Sequence, residues 1–288
     1  MKKLTTTITV LAMAGAAQVA SATSYSDAVS ALSPAGYWEF EDNYNDASGN
    51  GNTLTGFGSS SGFDDGPGLP GNPGRAFSVQ HDGGQSGASV ALGAGNPLNL
   101  AGATAYTINT WVKNRDKYNQ NNNGFLVVNR DADWASSSGA NYGLSTSHSS
   151  DGRMRAWSSA NYNRREFSPL TGYSHDWQML TATITLNGGS ADFYRNGVLI
   201  GSDSSALHHT ITSITGDGVV FAVGNRCDGS GCGSDDYDGL IDGLAIFGSA
   251  LSGPEIAGLY AAAQVPEPTT LALLALGSLA FLRNRRRG

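Results

Sequence analysis

Residues 179–186 alternate without a break, with Leu180, Ala182, Ile184 and Leu186 apolar and Thr181, Thr183 and Thr185 between them. On an extended chain successive side chains point to opposite faces, so this pattern reads as a strand with one apolar and one threonine face. Two further short runs, 191–195 and 198–202, flank Asn196-Gly197. Both residues of that pair tolerate the positive φ that a type I′ turn requires, which makes Asn-Gly the strongest short signal for a hairpin. These segments commit the second half of the chain to antiparallel β structure.

The same punctuation recurs elsewhere. Runs of β-branched and aromatic residues at 37–40, 76–79, 88–92, 106–113, 124–129, 142–146, 154–158, 219–225 and 240–247 are separated by Gly, Asn, Asp and Ser. With 39 glycines and only 14% charged residues, the composition fits many turns and short strands and argues against a helical bundle. One helix is expected after the last strand: Ser252 can cap it, Glu255 stands three residues on, and Ile256, Leu259 and Tyr260 share a face. Residues 261–264 read as a small-residue linker. Residues 59–74, rich in Gly, Pro and Asp, read as a loop.

The two ends carry targeting patterns. Met1, Lys2 and Lys3 precede an apolar stretch over 8–17, and Ala20-Ser21-Ala22 supplies small residues for signal peptidase, so residues 1–22 read as a signal peptide cut after Ala22. An uncleaved anchor is the alternative, but the run is short against roughly 30 Å of hydrocarbon. At the other end Val265-Pro266-Glu267-Pro268 is followed by an apolar run over 271–282 and by Arg283, Arg285, Arg286 and Arg287. The prolines keep the first part extended, and the arginines stay cytoplasmic by the positive-inside rule. A run of a dozen residues suits a transient membrane hold better than a permanent span.

This tail, residues 265–288, resembles the PEP-CTERM sorting signal in its ordered Pro-Glu-Pro motif, hydrophobic segment and arginine cluster. The resemblance implies cutting by an exosortase-type transpeptidase around Pro266, Glu267 and Pro268. It also implies delivery to the cell envelope, the surface or the medium, in the setting of exopolysaccharide-producing Gram-negative bacteria.

Between the ends lie residues 23–264. Setting aside Lys2, Lys3 and the four terminal arginines leaves 11 basic residues, and setting aside Glu267 leaves 23 acidic ones, so this part carries about −12. Such a charge repels phosphate backbones, which disfavours nucleic-acid binding and leaves divalent cations or neutral sugars as the better-suited ligands. Cys227 and Cys232 enclose a flexible Asp-Gly-Ser-Gly turn, and an exported chain meets oxidising conditions, so a small disulfide is expected. Two free thiols, or half of a metal site, are the alternatives. No second cysteine pair or nearby histidine completes a zinc site.

Four segments in order resemble the laminin G-like jelly rolls of the concanavalin A-like superfamily. They are Tyr37-Trp38-Glu39-Phe40 with the turn from Asp46 through Ser48, Gly49 and Asn50; the strand containing Trp111; Trp177 through the hairpin at Asn196-Gly197; and the closing stretch 239–247 with its following helix. The resemblance implies an all-β, two-sheet antiparallel jelly-roll sandwich with a short C-terminal helix. Relatives often hold a structural calcium where the opening turn meets the closing strand, which maps here to Asp46 and Asp242. The acidic residue that usually follows the closing Asp is Gly243 in this chain.

Catalysis has little support. Hydrolases of this kind carry Glu-x-Asp-x-Glu on a strand, and the chain has no such run. Glu39 and Glu41 have the i,i+2 spacing but fall on the first strand, where surface or cation-binding roles suit them better. No Gly-x-Ser-x-Gly, Walker loop or His-Glu-x-x-His occurs. His208 and His209 are adjacent, and since neighbours on a strand point to opposite faces they do not suit one metal and read as a loop pair, while the acidic run Asp235, Asp236 and Asp238 is only a fragment of a calcium loop. Trp134, Tyr142, Trp157 and Tyr162 fall in or beside polar loops, where they suit either sugar stacking or core packing. The expectation is an exported, non-catalytic surface or matrix protein that binds a glycan, such as exopolysaccharide, or a protein. A purely structural or adhesive protein is the alternative, and a divergent glycoside hydrolase is the third reading.

Overall fold

The computed structural model describes residues 24–264 except 71–73, 82–84, 116–122, 131–141, 148–153, 159–163, 168–174, 187–189, 205–218, 229–230 and 234–235. The expected signal peptide and sorting tail therefore lie outside the described residues, as do Trp134, Tyr162, His208, His209 and Asp235.

Helix α1 (Tyr25–Ala31) leads into β1 (Gly36–Trp38), β2 (Thr55–Phe57), β3 (Ser61–Asp65), β4 (Arg75–Val79) and β5 (Gly87–Leu92). A 3-10 turn at Pro97–Asn99 precedes β6 (Ala105–Asn114), β7 (Asn123–Arg130), β8 (Tyr142–Ser147), β9 (Met154–Ser158) and β10 (Arg164–Phe167). Then come β11 (Gln178–Thr185), β12 (Ala191–Arg195), β13 (Val198–Asp203), β14 (Val219–Val223), β15 (Cys227–Asp228), β16 (Gly231–Cys232), β17 (Gly239–Phe247) and α2 (Gly253–Ala263).

The described strands form two large antiparallel sheets and the small hairpin β15-β16. The first runs β13-β12-β11-β6-β17-β4-β3, with β1 paired to a further stretch of β17, and the second runs β10-β9-β8-β7-β14-β5-β2. The alternation in β11 drives this arrangement: Leu180, Ala182 and Ile184 face inward with Tyr106, Ile108 and Val112 of β6. They meet Leu126, Tyr142, Leu144 and Phe221 of the opposite sheet, and Trp38 stacks on Phe221 at 5.0 Å between ring centroids. The Asn196-Gly197 turn has φ of 51° and 78°, the two positive values that its sequence predicts.

Most of the threonine face of β11 does not meet solvent, and only Thr185 at its end is exposed. Thr181 is fully buried and Thr183 nearly so, because α1 and α2 cover the outer face of the first sheet. Tyr25 and Val29 of α1 and Ile256 and Leu259 of α2 pack there against Trp111, Met179, Ala245 and Phe247. All nine residues of β17 are consequently buried. The closing helix forms as its sequence predicts, with Ser252 and Glu255 in a reciprocal capping box. It continues through Ala263, however, so the expected linker over 261–264 is helix up to its Gln264 cap.

Helix α1 has its own cap, since the Ser24 hydroxyl accepts from Asp27 N at 3.1 Å, with Tyr25 and Val29 one turn apart on its buried face. Within the expected loop over 59–74, residues Ser61–Asp65 form β3, whose Phe63 sits tilted on Tyr44 at 4.8 Å. The first strand ends at Trp38, because Phe40 and Asp42 adopt φ of 54° and 53°.

Candidate functional site

The opening turn is built on one carboxylate. Asp46 Oδ1 accepts from Tyr37 N at 3.1 Å and from Ser48 N at 2.9 Å, and its Oδ2 accepts from Asn52 N at 2.9 Å. Gly49 and Gly51, at φ of 84° and 77°, let the chain reverse inside this grip. Asn50 then donates to the carbonyls of Pro34 and Ala35 at 3.2 and 3.1 Å, and Asn52 accepts from Asn96 Nδ2 at 2.7 Å. Asn96 in turn accepts from Leu98 N at 2.9 Å and fixes the 3-10 turn.

Between these held loops and the α1–β1 connection lies a cleft of about 790 Å³. Its wall presents the small polar side chains Ser30, Ser33, Ser48, Asn50 and Asn96, and none of its lining residues is charged. The volume falls within the roughly 300–1,000 Å³ usual for small-ligand sites. Ser33 and Leu100, on two of its sides, are held at φ of 54° and 50°, so the loops that shape it are fixed in uncommon backbone states. Such a site offers hydroxyl and amide hydrogen-bonding groups on a preformed frame.

Asp242 lies elsewhere. It is buried on the outer face of β17 beneath α1, with its Oδ1 accepting from Gly243 N at 2.7 Å. Burial first, and the Asp242 carboxylate second, push the Tyr25 hydroxyl far above its ordinary value. Tyr37 is pushed up chiefly by burial and by Tyr25. Gly243 opens a bulge between Asp242 and Ala245 at φ 52°, and an added Cβ there would come within 2.9 Å of the Tyr25 ring. The acidic residue expected after the closing Asp has no room in this arrangement.

Both Asp46 oxygens are therefore engaged by backbone N–H groups, and Asp242 is confined under a helix. Among the described residues no three of His, Cys, Asp or Glu gather in a metal-binding group. Calcium needs six or more oxygen ligands around it, so this donor set does not fit the ion at Asp46 and Asp242. Of the acidic run near β17, Asp236 is buried against His81 and the Asp238 carbonyl accepts from Arg115 N at 3.2 Å.

The two glutamates of the first segment are separated by function as well as position. Glu39 accepts from the Ser26 hydroxyl of α1, whereas Glu41 accepts from Gly74 N at 3.0 Å and Arg75 N at 3.1 Å. Both lie beyond the end of β1, so they do not share a strand face. Tyr142 is a core residue, its ring 5.4 Å from Tyr106 and its hydroxyl donating to Leu98 O at 2.8 Å. Trp157 lies in β9, and its side chain is outside the described residues. Cys227 and Cys232 are joined in a disulfide, and their hairpin packs with Phe125, Val128 and Ala222 over the second sheet.

Sequence reasoning missed the cleft. Its walls come from segments near residues 30, 50 and 100, and the available signals were the Asn96-Pro97 cap and the Asp46 turn, each of which predicts a local shape only.

A family model for the Concanavalin A-like lectin/glucanases superfamily, Laminin_G_3, matches residues 82–257. The chain belongs to that superfamily. Residues 264–287 match the PEP-CTERM protein-sorting motif, a signal for export and surface sorting in bacteria that implies an exosortase-type processing enzyme. No curated protein matches the chain.

Solved structures share the superfamily fold. Domain 4 of AbnA, a GH43 extracellular arabinanase from Geobacillus stearothermophilus solved with arabinotriose, aligns at TM-score 0.52 and 22% identity, over 79% of this chain and 98% of that one. The binding domain of Paraclostridial Mosquitocidal Protein 1 aligns at TM-score 0.56 and 18% identity, over 79% and 52%. The Botulinum neurotoxin serotype G binding domain aligns at TM-score 0.54 and 20% identity, over 79% and 50%. This superfamily member thus spans about half the length of the toxin binding domains and nearly all of the arabinanase domain.

Proposed function

We propose that the protein is an exported, surface-sorted module that performs no catalysis and binds a neutral glycan in the cleft between the Asp46 turn, the α1–β1 connection and the 3-10 turn. The observation that carries this reading is the lining of that cleft: serine and asparagine side chains set among small apolar residues, without a single charge. Sugar hydroxyls are paired by such groups, and the fixed loops leave little ordering cost on binding. Glu39 and Glu41 are each engaged within the fold, by the Ser26 hydroxyl and by the backbone N–H groups of Gly74 and Arg75, which supports a binding role over hydrolysis, since a retaining mechanism needs two carboxyl groups facing one bond. The arabinanase domain solved with arabinotriose and the toxin binding domains are consistent with a fold used for recognition.

In this reading residues 1–22 are removed by signal peptidase and residues 23–264 form the displayed domain. Residues 265–288 hold the chain transiently at the membrane of a Gram-negative cell until an exosortase-type enzyme cuts near Pro266. Mass spectrometry of the exported protein is expected to find Thr23 at the start and no residues after the cut; an intact tail on exported protein refutes the processing.

The binding test is a glycan array of the exported protein in calcium and in chelator, with Ala101→Trp as the cleft-filling variant. Ala101 lines the cleft and is exposed, so the indole occupies the site without removing a hydrogen bond that shapes it. Selective, chelator-insensitive binding to neutral glycans that Ala101→Trp abolishes is the expected result. Absence of glycan binding in both buffers, or binding indifferent to Ala101→Trp, overturns the assignment and turns attention to protein partners.

A further inference from the structure

Only two large apolar side chains among the described residues are strongly exposed, and they are consecutive: Val198 at 65% and Leu199 at 51%. They open β13 directly after the Asn196-Gly197 turn. That turn lies against α2, since an added Cβ on Gly197 would stand 2.9 Å from Tyr260 Cβ and 3.2 Å from Ala257 Cα. The helix is fixed in place by Ile256 and Leu259 in the outer core and by Tyr260, stacked on Trp111 at 5.8 Å. The exposed apolar pair therefore sits beside the last turns of α2.

From that same place the chain leaves the domain. Helix α2 ends at Ala263 with Gln264 as its cap, so no free linker separates the packed helix from Val265. Residues 265–270 span at most about 20 Å when fully extended. A membrane hold on residues 271–282 thus keeps this pole of the domain within that distance of the bilayer surface.

We infer that the β12–β13 tip seats on the lipid interface while the tail is held, with Val198 and Leu199 as the inserting side chains. This rests on reading the tail as membrane-held. Two side chains are a weak anchor alone, but a short tether raises the effective concentration of the tip at the surface to the millimolar range, where weak contacts are occupied. The charge of about −12 on residues 23–264 points to zwitterionic rather than anionic lipid as the favoured surface. Release of the tail removes the tether and frees the tip, so the contact belongs to the stage before processing.

The test uses the full chain with its tail in phosphatidylcholine vesicles, carrying an environment-sensitive fluorophore at Leu199→Cys or, as control, at Ala91→Cys. Ala91 is exposed on β5 of the opposite sheet. Flotation with the vesicles reports the tail's hold, and quenching by nitroxide-labelled lipid reports the tip. The expected result is flotation of both proteins with several-fold stronger quenching at 199 than at 91, lost in a chain ending at Gln264. Equal quenching at the two sites in floating protein overturns the inference while sparing the tail reading, and failure to float overturns both. A signal at 199 that grows with protein concentration without vesicles assigns the tip to a second copy and overturns the lipid contact.

Discussion

Replacing Asp46 with alanine removes one carboxylate and strands three backbone N–H groups, those of Tyr37, Ser48 and Asn52, which it now accepts at 3.1, 2.9 and 2.9 Å. Ser48 is partly exposed and water can take over its N–H, whereas Tyr37 and Asn52 are buried. A hydrogen bond to a charged group contributes about 1.5–3 kcal/mol, so two bonds at the lower end give a loss of about 3 kcal/mol. For a domain of this size that lowers Tm by about 6–12 °C. Asp46→Asn keeps the acceptor for Tyr37 and Ser48 but turns an amide donor toward Asn52 N, and about half the loss is expected. Thermal unfolding followed by circular dichroism, in millimolar calcium and in chelator, measures both variants. The structure requires the same loss in the two buffers, because the carboxylate is occupied by the backbone. If Asp46→Ala melts like the unsubstituted protein in chelator and differs only when calcium is present, the carboxylate is a cation ligand and the reasoning fails.

Two further predictions concern the buried side chains of the two cores. Gly243→Ala places a Cβ against the Tyr25 ring at a residue with φ 52°, and a loss of about 2–3 kcal/mol is expected from backbone strain and displaced packing together; an unchanged urea midpoint refutes the tight approach of α1 to the bulge. The hydroxyls of Tyr25, Tyr37, Tyr106 and Tyr142 are all raised, primarily by burial. A raised folded-state value means that their contribution is fully present below the ordinary tyrosine value near 10 and is lost as pH climbs beyond it. Phenolate absorbance is expected in two stages, exposed tyrosines first and these four only as the circular dichroism collapses. A single phase with native dichroism contradicts their burial.

The local rules were legible where one segment contains its own cause. The Asn196-Gly197 turn, the alternating strand β11 and the capping box of α2 each follow from residues within one short stretch of chain, and the structure holds all three. Helix α1 was also written in the chain, as Ser24 three residues before Asp27 with Tyr25 and Val29 spaced by four, but it begins two residues after the expected signal cleavage and its apolar face is only two side chains wide. Strand β3 escaped notice because Gly62 and the two aspartates give it no apolar run; it exists because β4 offers it a pairing edge. Tyr142 read equally well as a sugar platform or a core residue, and only its neighbours across the sandwich decide for the core.

The sequence by itself determined that the chain builds short antiparallel strands, closes with a capped helix, and carries a sorting motif in its last residues, because those properties depend on spacing along the chain. Only the tertiary structure decided what the acidic residues do. Asp46 meets an N–H from nine residues away, Glu41 meets two from more than thirty away, and Asp242 is sealed under a helix 218 residues distant from its neighbour Gly243. A carboxylate held by backbone donors is a structural group and one left beside open solvent stays free to meet water or a partner, and that choice is made by which distant segment folds over it.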